Sequence, residues 1–214
     1  MRLASVQVGT PRTVGTPHAD DPLERAFTSA IWKSPVTGAV FVGRLGLAGD
    51  AVTNTKVHGG VDQALLMYAS SHYPVWESEL GRPSSPGAFG ENLTVDGLDE
   101  DSACIGDVFA IGSVRLEVSQ PRQPCSTLAR RHQVRDMIAI VRANGRSGWY
   151  LRVLTEGTLE AGQPIDVADR PNPTWPVRRA AVVMHARGRD PAAAAELAGC
   201  RGLSAGWRSR LDGG

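Results

Sequence analysis

The sequence predicts a mainly β fold, a barrel or sandwich carrying short peripheral helices, with a small three-helix appendage at its C-terminal end. Three observations carry this. Short β-prone runs recur through residues 1–169, each bounded by Gly, Pro, Asn or Asp. One of them is a hairpin by pattern: Asp107-Val108-Phe109-Ala110-Ile111, the turn Gly112-Ser113, and Val114-Arg115-Leu116-Glu117-Val118, whose second arm alternates so that Val114, Leu116 and Val118 face inward. Finally, composition changes at the linker-like Arg170-Pro171-Asn172-Pro173, beyond which the chain is alanine-rich and helical. The expected division is a β domain over 1–169 and a three-helix domain over 170–214.

In chain order, Leu3, Val6 and Val8 mark a first strand. Residues 9–22 have loop composition, rich in Pro, Gly, Thr and Asp. Ala30-Ile31-Trp32 and Ala39-Val40-Phe41-Val42 form a β-prone pair joined by a turn. Ala64-Leu65-Leu66-Met67-Tyr68-Ala69 is a continuous apolar run, a buried strand. Ser70 or Ser71 can cap a helix over 72–80 that Gly81 and Pro83 end, with Tyr73, Trp76 and Leu80 as its core stripe. Leu93-Thr94-Val95 is a strand ending at the turn Asp96-Gly97, residues 134–143 an amphipathic helix ended by Asn144-Gly145, and 149–154 the next strand. Gly157 and Gly162 mark turns before Pro164-Ile165-Asp166-Val167.

The tail holds helices over 177–186, 192–198 and a short one after Ser204, with Asp190-Pro191 as N-cap and N1. Three short helices bury too little to fold alone, so they should dock on the barrel or on a partner. From residue 174 on, seven arginines oppose Asp190, Glu196 and Asp212, leaving the tail at +4 and the remainder at about −3. A solvated arginine face explains this better than a DNA-reading helix pair.

Over the 214 residues the net charge is +1, with 42% apolar and 21% charged residues. That balance argues against a dedicated nucleic-acid or anionic-membrane binder. No apolar run reaches transmembrane length, and residues 1–8 lack the apolar core of a secretory signal. Cys104, Cys125 and Cys200 form no CxxC pair, which excludes a zinc ribbon or a thioredoxin-type centre and fits a cytoplasmic protein with free thiols.

Chemistry concentrates in Ser119-Gln120-Pro121-Arg122-Gln123-Pro124-Cys125-Ser126-Thr127-Leu128. Two prolines stiffen the lead into Cys125 and bias the preceding residues toward extended geometry, which suits a presented thiol, although ordinary loops use prolines too. A second candidate is Gly46-Leu47-Ala48-Gly49-Asp50 with Lys56-Val57-His58-Gly59-Gly60-Val61-Asp62-Gln63. Its glycines match neither a dinucleotide fingerprint nor a P-loop. His58 is either a polar group in an exposed turn or a donor at the mouth of a pocket.

Gly46-Leu47-Ala48-Gly49-Asp50, Val57-His58-Gly59-Gly60-Val61-Asp62, Phe89-Gly90-Glu91-Asn92-Leu93 and Gln120-Pro121-Arg122-Gln123-Pro124-Cys125 occur in this order in MOSC domains, the domains found at the C-terminus of molybdenum-cofactor sulfurases. Gly106-Asp107 and Gly148-Trp149 match as well. The chain most resembles the YiiM-like subgroup, in which a MOSC β-barrel precedes a three-helix domain; the resemblance is strong over residues 31–167 and weaker in the tail.

The resemblance implies a barrel that binds the molybdenum cofactor (molybdopterin), without pyridoxal phosphate, and reduces N-hydroxylated compounds such as hydroxylaminopurines to amines. It assigns Cys125 as the molybdenum ligand, a soft thiolate such a metal favours. Catalytic candidates are Cys125, His58 and Asp50, the last for orienting His58 or supplying a proton; Gly59, Gly60, Asn92, Arg122 and Cys125 are expected to hold the cofactor. Electrons must come from a separate reductase, since no flavin, haem or iron–sulfur motif is present, and the arginine-rich tail is a surface on which an acidic redox partner could dock. A homodimer is left open. Residues 9–22 could alter substrate choice if they lie over the barrel mouth, Val61 and Gln63 depart from the family pattern, and Cys104 has no counterpart in it. Three other chemistries stay open: sulfur carriage on a Cys125 persulfide, metal-independent attack by Cys125 with His58 as base, and a binding module that holds a cofactor for delivery.

Overall fold

The computed structural model describes residues 1–55 and 58–213; Lys56 and Val57 of the glycine-rich motif lie outside the described residues, as does Gly214. The β domain begins with β1 (Arg2–Val8), β2 (Arg12–Val14), β3 (Phe27–Ser29), β4 (Ser34–Pro35), β5 (Val40–Gly43) and β6 (Gly46–Leu47). A 3₁₀ turn (Val61–Gln63) leads into β7 (Leu65–Ala69), α1 (His72–Leu80) and β8 (Leu93–Asp96). The hairpin β9 (Val108–Ile111) and β10 (Val114–Pro121) is followed by α2 (Ser126–His132), α3 (Met137–Asn144), β11 (Trp149–Thr155), β12 (Gly157–Leu159) and β13 (Asp166–Asp169). The tail is α4 (Val177–Ala186), α5 (Pro191–Ala198) and α6 (Ala205–Asp212).

An eight-stranded sheet in the order β13-β9-β10-β11-β7-β8-β1-β4 curls into a half barrel, with β12-β5-β6 as a second small sheet and β2-β3 as a third. Within the large sheet β7 and β8 pair in parallel, since α1 carries the chain back between them, and the other pairings are antiparallel. The apolar run Leu65–Ala69 is buried along its whole length, as a strand covered on both faces must be.

Two apolar clusters hold the molecule. The larger one fills the barrel with Leu65, Met67, Phe109, Leu116 and Trp149, and it continues into the tail through Trp175, Val177, Ala180, Met184, Leu197, Trp207 and Leu211. Burying each large side chain is worth about 1.5–3 kcal/mol. Removing the tail would expose barrel and helices together, so the expected docking is onto the barrel. The smaller cluster packs α1, α2 and α3 through Tyr68, Tyr73, Trp76, Phe89, Leu128, Ala129, Met137 and Val141.

Several local expectations change. Residues 9–22 are not a bare loop: Arg12–Val14 pairs with Phe27–Ser29, and Thr16 closes the connection by hydrogen bonds with Glu24 and Ala26. Ile31 and Trp32 lie outside any strand. Neither serine caps α1 with its side chain; Ser70 Oγ instead donates to Asp96 Oδ1 at 2.5 Å. The 134–143 helix starts only at Met137: α2 ends at Gln133, left-handed at φ 52°, and residues 134–136 connect the two helices. The supposed linker is fastened: Arg170 pairs with Asp107 at 2.7 Å, and Asn172 Nδ2 donates to Ile105 O and Arg201 O, each at 2.8 Å. Asp190 and Ser204 do cap α5 and α6 with their side chains. No helix among the described residues is long and apolar enough to cross a membrane.

At the end of α2, His132 stacks on Phe89 at 4.8 Å between ring centres. Its Nε2 reaches Ala88 O at 3.0 Å and its Nδ1 receives Arg82 Nη2 at 3.2 Å, so the neutral ring satisfies both neighbours. Burial first, then the charges of Arg131 and Arg82, push its pKa down to about 4. An unfolded His takes up its proton near 6.5, so stability falls as pH drops from 6.5 toward 4, by on the order of 3 kcal/mol. Chemical denaturation between pH 7 and 4 should show this loss, and His132→Gln, which can keep both hydrogen bonds, should flatten that part of the slope.

Candidate functional site

Cys125 sits where β10 has ended and α2 begins. Pro121 is the last residue of β10 and pairs with Trp149, and Arg122 N donates to Gly148 O at 3.0 Å, so the ladder constrains the chain three residues before the cysteine. Cys125 is the N-cap of α2, extended at φ −126° and ψ 169°, and its carbonyl accepts Leu128 N at 3.0 Å. The prolines and the ladder together deliver a half-buried thiol into a cavity of about 280 Å³.

His58, Gly59, Asp50, Asn92, Arg122 and Cys125 all line that cavity. His58 is close enough to Cys125 to act on its thiol. Gly59 takes φ +76° and packs against Val52, where a Cβ would stand 3.3 Å from the methyl group; this conformation turns the chain behind His58. Burial by itself would raise the thiol, but His58, the Arg122 charge and the Leu128 N–H outweigh it and bring the pKa down to about 6. Arg122 is buried, and its Nη1 has no partner among the described residues. A buried donor in that condition costs free energy unless an acceptor reaches it from the cavity. Cys104 and Cys200, by contrast, are buried and raised, Cys200 to about 11, chiefly by desolvation.

Three of the expected site residues have hydrogen bonds within the protein. Asp50 spends its carboxylate on Gly9 N at 2.8 Å, on Lys33 Nζ and on Asn92 Nδ2 at 2.8 Å, so it clips the cavity wall together. The Asn92 amide is likewise engaged, since its Oδ1 accepts Leu66 N at 3.1 Å while its Nδ2 serves Asp50. Gly60 belongs to the loop but does not line the cavity, and its carbonyl accepts Gln63 N at 3.1 Å.

Other lining residues were not singled out by the sequence. Lys33 is buried beside Asp50 in what reads as a turn. Its signal was composition: Lys33 and Lys56 are the two lysines of a chain that otherwise uses arginine. Phe27, with the Arg130 guanidinium 4.8 Å over its ring, and Ile31 supply one apolar side, and Tyr150 another. Gln63 presents a buried Oε1 that has no partner among the described residues. No sequence pattern marks Phe27, because its place in the wall comes from the β2–β3 hairpin.

The donor set suits a metal that arrives with ligands of its own. Among the described residues no group of three or more His, Cys, Asp or Glu could hold a bare ion, while Cys125 offers one soft thiolate. The unpartnered Arg122 fits an anionic group carried beside such a metal.

Comparison with known proteins shows the family. The MOSC domain family model matches residues 54–166, and the YiiM-like 3-alpha helix domain matches residues 175–211. The YflK protein of Bacillus subtilis is 38% identical over 185 residues, covering 86% of this chain and 84% of its own length. A protein of Gibberella moniliformis named Reductase is 38% identical over 75% of this chain, which spans 29% of that longer protein. The crystal structure of YiiM from Geobacillus stearothermophilus superposes with a TM-score of 0.82 at 36% identity, covering 99% of this chain and 97% of that one. With the presented thiol, its cavity and the docked helices all accounted for, the chain belongs to the MOSC-domain family, in the YiiM-like group that carries a C-terminal three-helix domain.

Proposed function

We propose that this protein is a molybdenum-cofactor-dependent reductase that converts N-hydroxylated compounds, hydroxylaminopurine-like bases among them, to the corresponding amines. The observation that carries the reading is the pairing, in one cavity, of a Cys125 thiol lowered to about 6 with a buried Arg122 whose Nη1 lacks a partner. When bound, the cofactor supplies the two electrons that cleave the N–O bond, so that R–NHOH with two electrons and two protons yields R–NH₂ and water.

The chain's own residues do the rest. Cys125 offers its thiolate to the metal, and His58 acts to keep the sulfur deprotonated near neutral pH. Arg122 presents positive charge to the cofactor's anionic group. Lys33 and Asp50 form an ion pair in the wall and hold a proton at Lys33 Nζ within the cavity. Phe27, Ile31, Leu66 and Phe89 line an apolar side against which a flat heterocycle can lie with water excluded. The electrons come from a separate reductase, and the name of the longer Gibberella relative supports a redox role.

A second reading is sulfur carriage on Cys125, favoured by the same thiolate, which is nucleophilic as well as metal-binding. Protein purified from a host that makes the cofactor separates the two. The reductase reading expects stoichiometric molybdenum, at least ~10-fold less in Cys125→Ala, and turnover of an N-hydroxylated base with a supplied electron donor. Molybdenum-free protein bearing an extra sulfur atom on Cys125 by intact mass would favour the carrier instead.

Metal-free protein should also show the thiol directly. Below about pH 6 the Cys125 sulfur is protonated and slow toward iodoacetamide; above it the thiolate reacts, against about 8.5 for an ordinary cysteine. The alkylation midpoint should rise in His58→Ala and in Arg122→Gln. A wild-type midpoint near 8.5 would contradict the described site.

A further inference from the structure

The tail meets the barrel at two points that flank the cavity. Ser204, the N-cap of α6, donates its N–H to Ser119 O at 2.9 Å, while its side chain accepts Trp207 N at 3.2 Å. The next residue, Ala205, donates its N–H to Asp62 Oδ2 at 3.1 Å. Ser119 stands on β10 six residues before Cys125, and Asp62 stands in the 3₁₀ turn four residues after His58. The two points are also joined to each other, since Ser119 Oγ donates to Asp62 O at 2.5 Å.

Asp62 is held from the other side as well. Its Oδ1 accepts Arg152 Nε at 2.9 Å and Nη2 at 2.7 Å, and the Nη1 of the same guanidinium turns to Glu117. Arg152 is on β11 and Glu117 on β10, so the carboxylate ties the loop to the central ladder and to α6 at once. The approach of the tail is fixed just upstream: at Gly202, with φ +87°, a Cβ would lie 2.6 Å from Gly106 Cα and 3.0 Å from Glu117 Oε1.

The geometry points to Asp62 as a positioning residue, through which the first turn of α6 holds the His58 loop in register with the strand that delivers Cys125. The three-helix tail then sets the approach of the two residues that meet at the cavity, although none of its residues lines that cavity. This goes beyond the reductase reading and does not depend on which group Cys125 binds. The bland account is that Asp62 merely caps a surface helix, in which case its loss would loosen α6 and leave the loop and the cysteine strand unchanged.

Ala205 allows the two to be separated. It is the first helical residue of α6, where proline is tolerated, and Ser204 at φ −60° and ψ 146° already has the geometry that precedes a proline. Ala205→Pro therefore deletes the donor to Asp62 and spares the helix, whereas Ala205→Gly keeps the donor. Hydrogen–deuterium exchange of the full-length protein, with no substrate or metal supplied, should show roughly fivefold faster exchange in segments 58–64 and 119–125 of Ala205→Pro, and wild-type exchange there in Ala205→Gly. Unchanged exchange in those segments in Ala205→Pro, or an equal rise in both variants, overturns the assignment. Should Ala205→Pro fail to fold, Asp62→Asn is compared with Arg152→Gln, which loses the ladder partner of the carboxylate and keeps the Ala205 donor: faster exchange at 119–125 in Asp62→Asn beyond that in Arg152→Gln supports the assignment, and equal exchange overturns it. A failed molybdenum measurement leaves this test intact, because exchange reports the protein alone.

Discussion

The antiparallel ladder between β10 and β11 is the constraint on which the rest depends. β10 also pairs with β9, so its residues are fixed from both edges. Its last residue begins the stiff lead to Cys125, its Ser119 receives the tail, and its Glu117 shares a guanidinium with Asp62. On β11, Trp149 and Leu151 reach β7, which enters directly from the His58 turn. Cavity, tail and glycine-rich loop are thus separate attachments to one pair of strands. Rotation of that pair would move all three together, whereas loss of any single attachment leaves the ladder standing.

Electrostatics within the cavity are set by a contest that burial does not win. Burial is the largest influence on Cys125 and opposes its ionisation, just as it does for Cys104 and Cys200. Only Cys125 has a His and an Arg close enough to reverse the sign. The cost falls on Arg122, which is buried with one nitrogen unpartnered among the described residues. A positive group left in that state and an ionised sulfur stabilise each other and place a soft ligand beside an unmatched charge.

Much of this was legible in the residues, and what was not has a physical reason. The hairpin at Gly112-Ser113 announced itself because alternation and turn chemistry are local. So did the caps Asp190 and Ser204, whose side chains act within their own first turn. Cys125, His58 and Arg122, whose motifs are collinear with a known family, line one cavity. Asp50 and Asn92 line the expected cavity, but their hydrogen bonds to its wall could not be read from the sequence, since whether a carboxylate meets a lysine depends on where Lys33 ends up. Residues 9–22 read as a loop because strands of three residues give too little alternation to recognise. Phe27, Ile31 and Arg130 carried no signal, because their shared location exists only after the hairpin has folded against α2.

That hairpin supplies one side of the cavity from outside the segment the family model matches. Phe27, Thr28, Ser29 and Ile31 precede the stretch matched by the MOSC family model, which begins at residue 54 and contains His58, Arg122 and Cys125. The hairpin is fastened to α2 largely through backbone acceptors, with Arg130 Nε on Pro22 O and Gln133 Nε2 on Leu23 O. Backbone acceptors tolerate changes of side chain at the positions that bear them. The apolar wall can therefore change its side chains without loosening the bonds that hold the hairpin to α2, while the thiol, the histidine and the arginine are fixed by other elements.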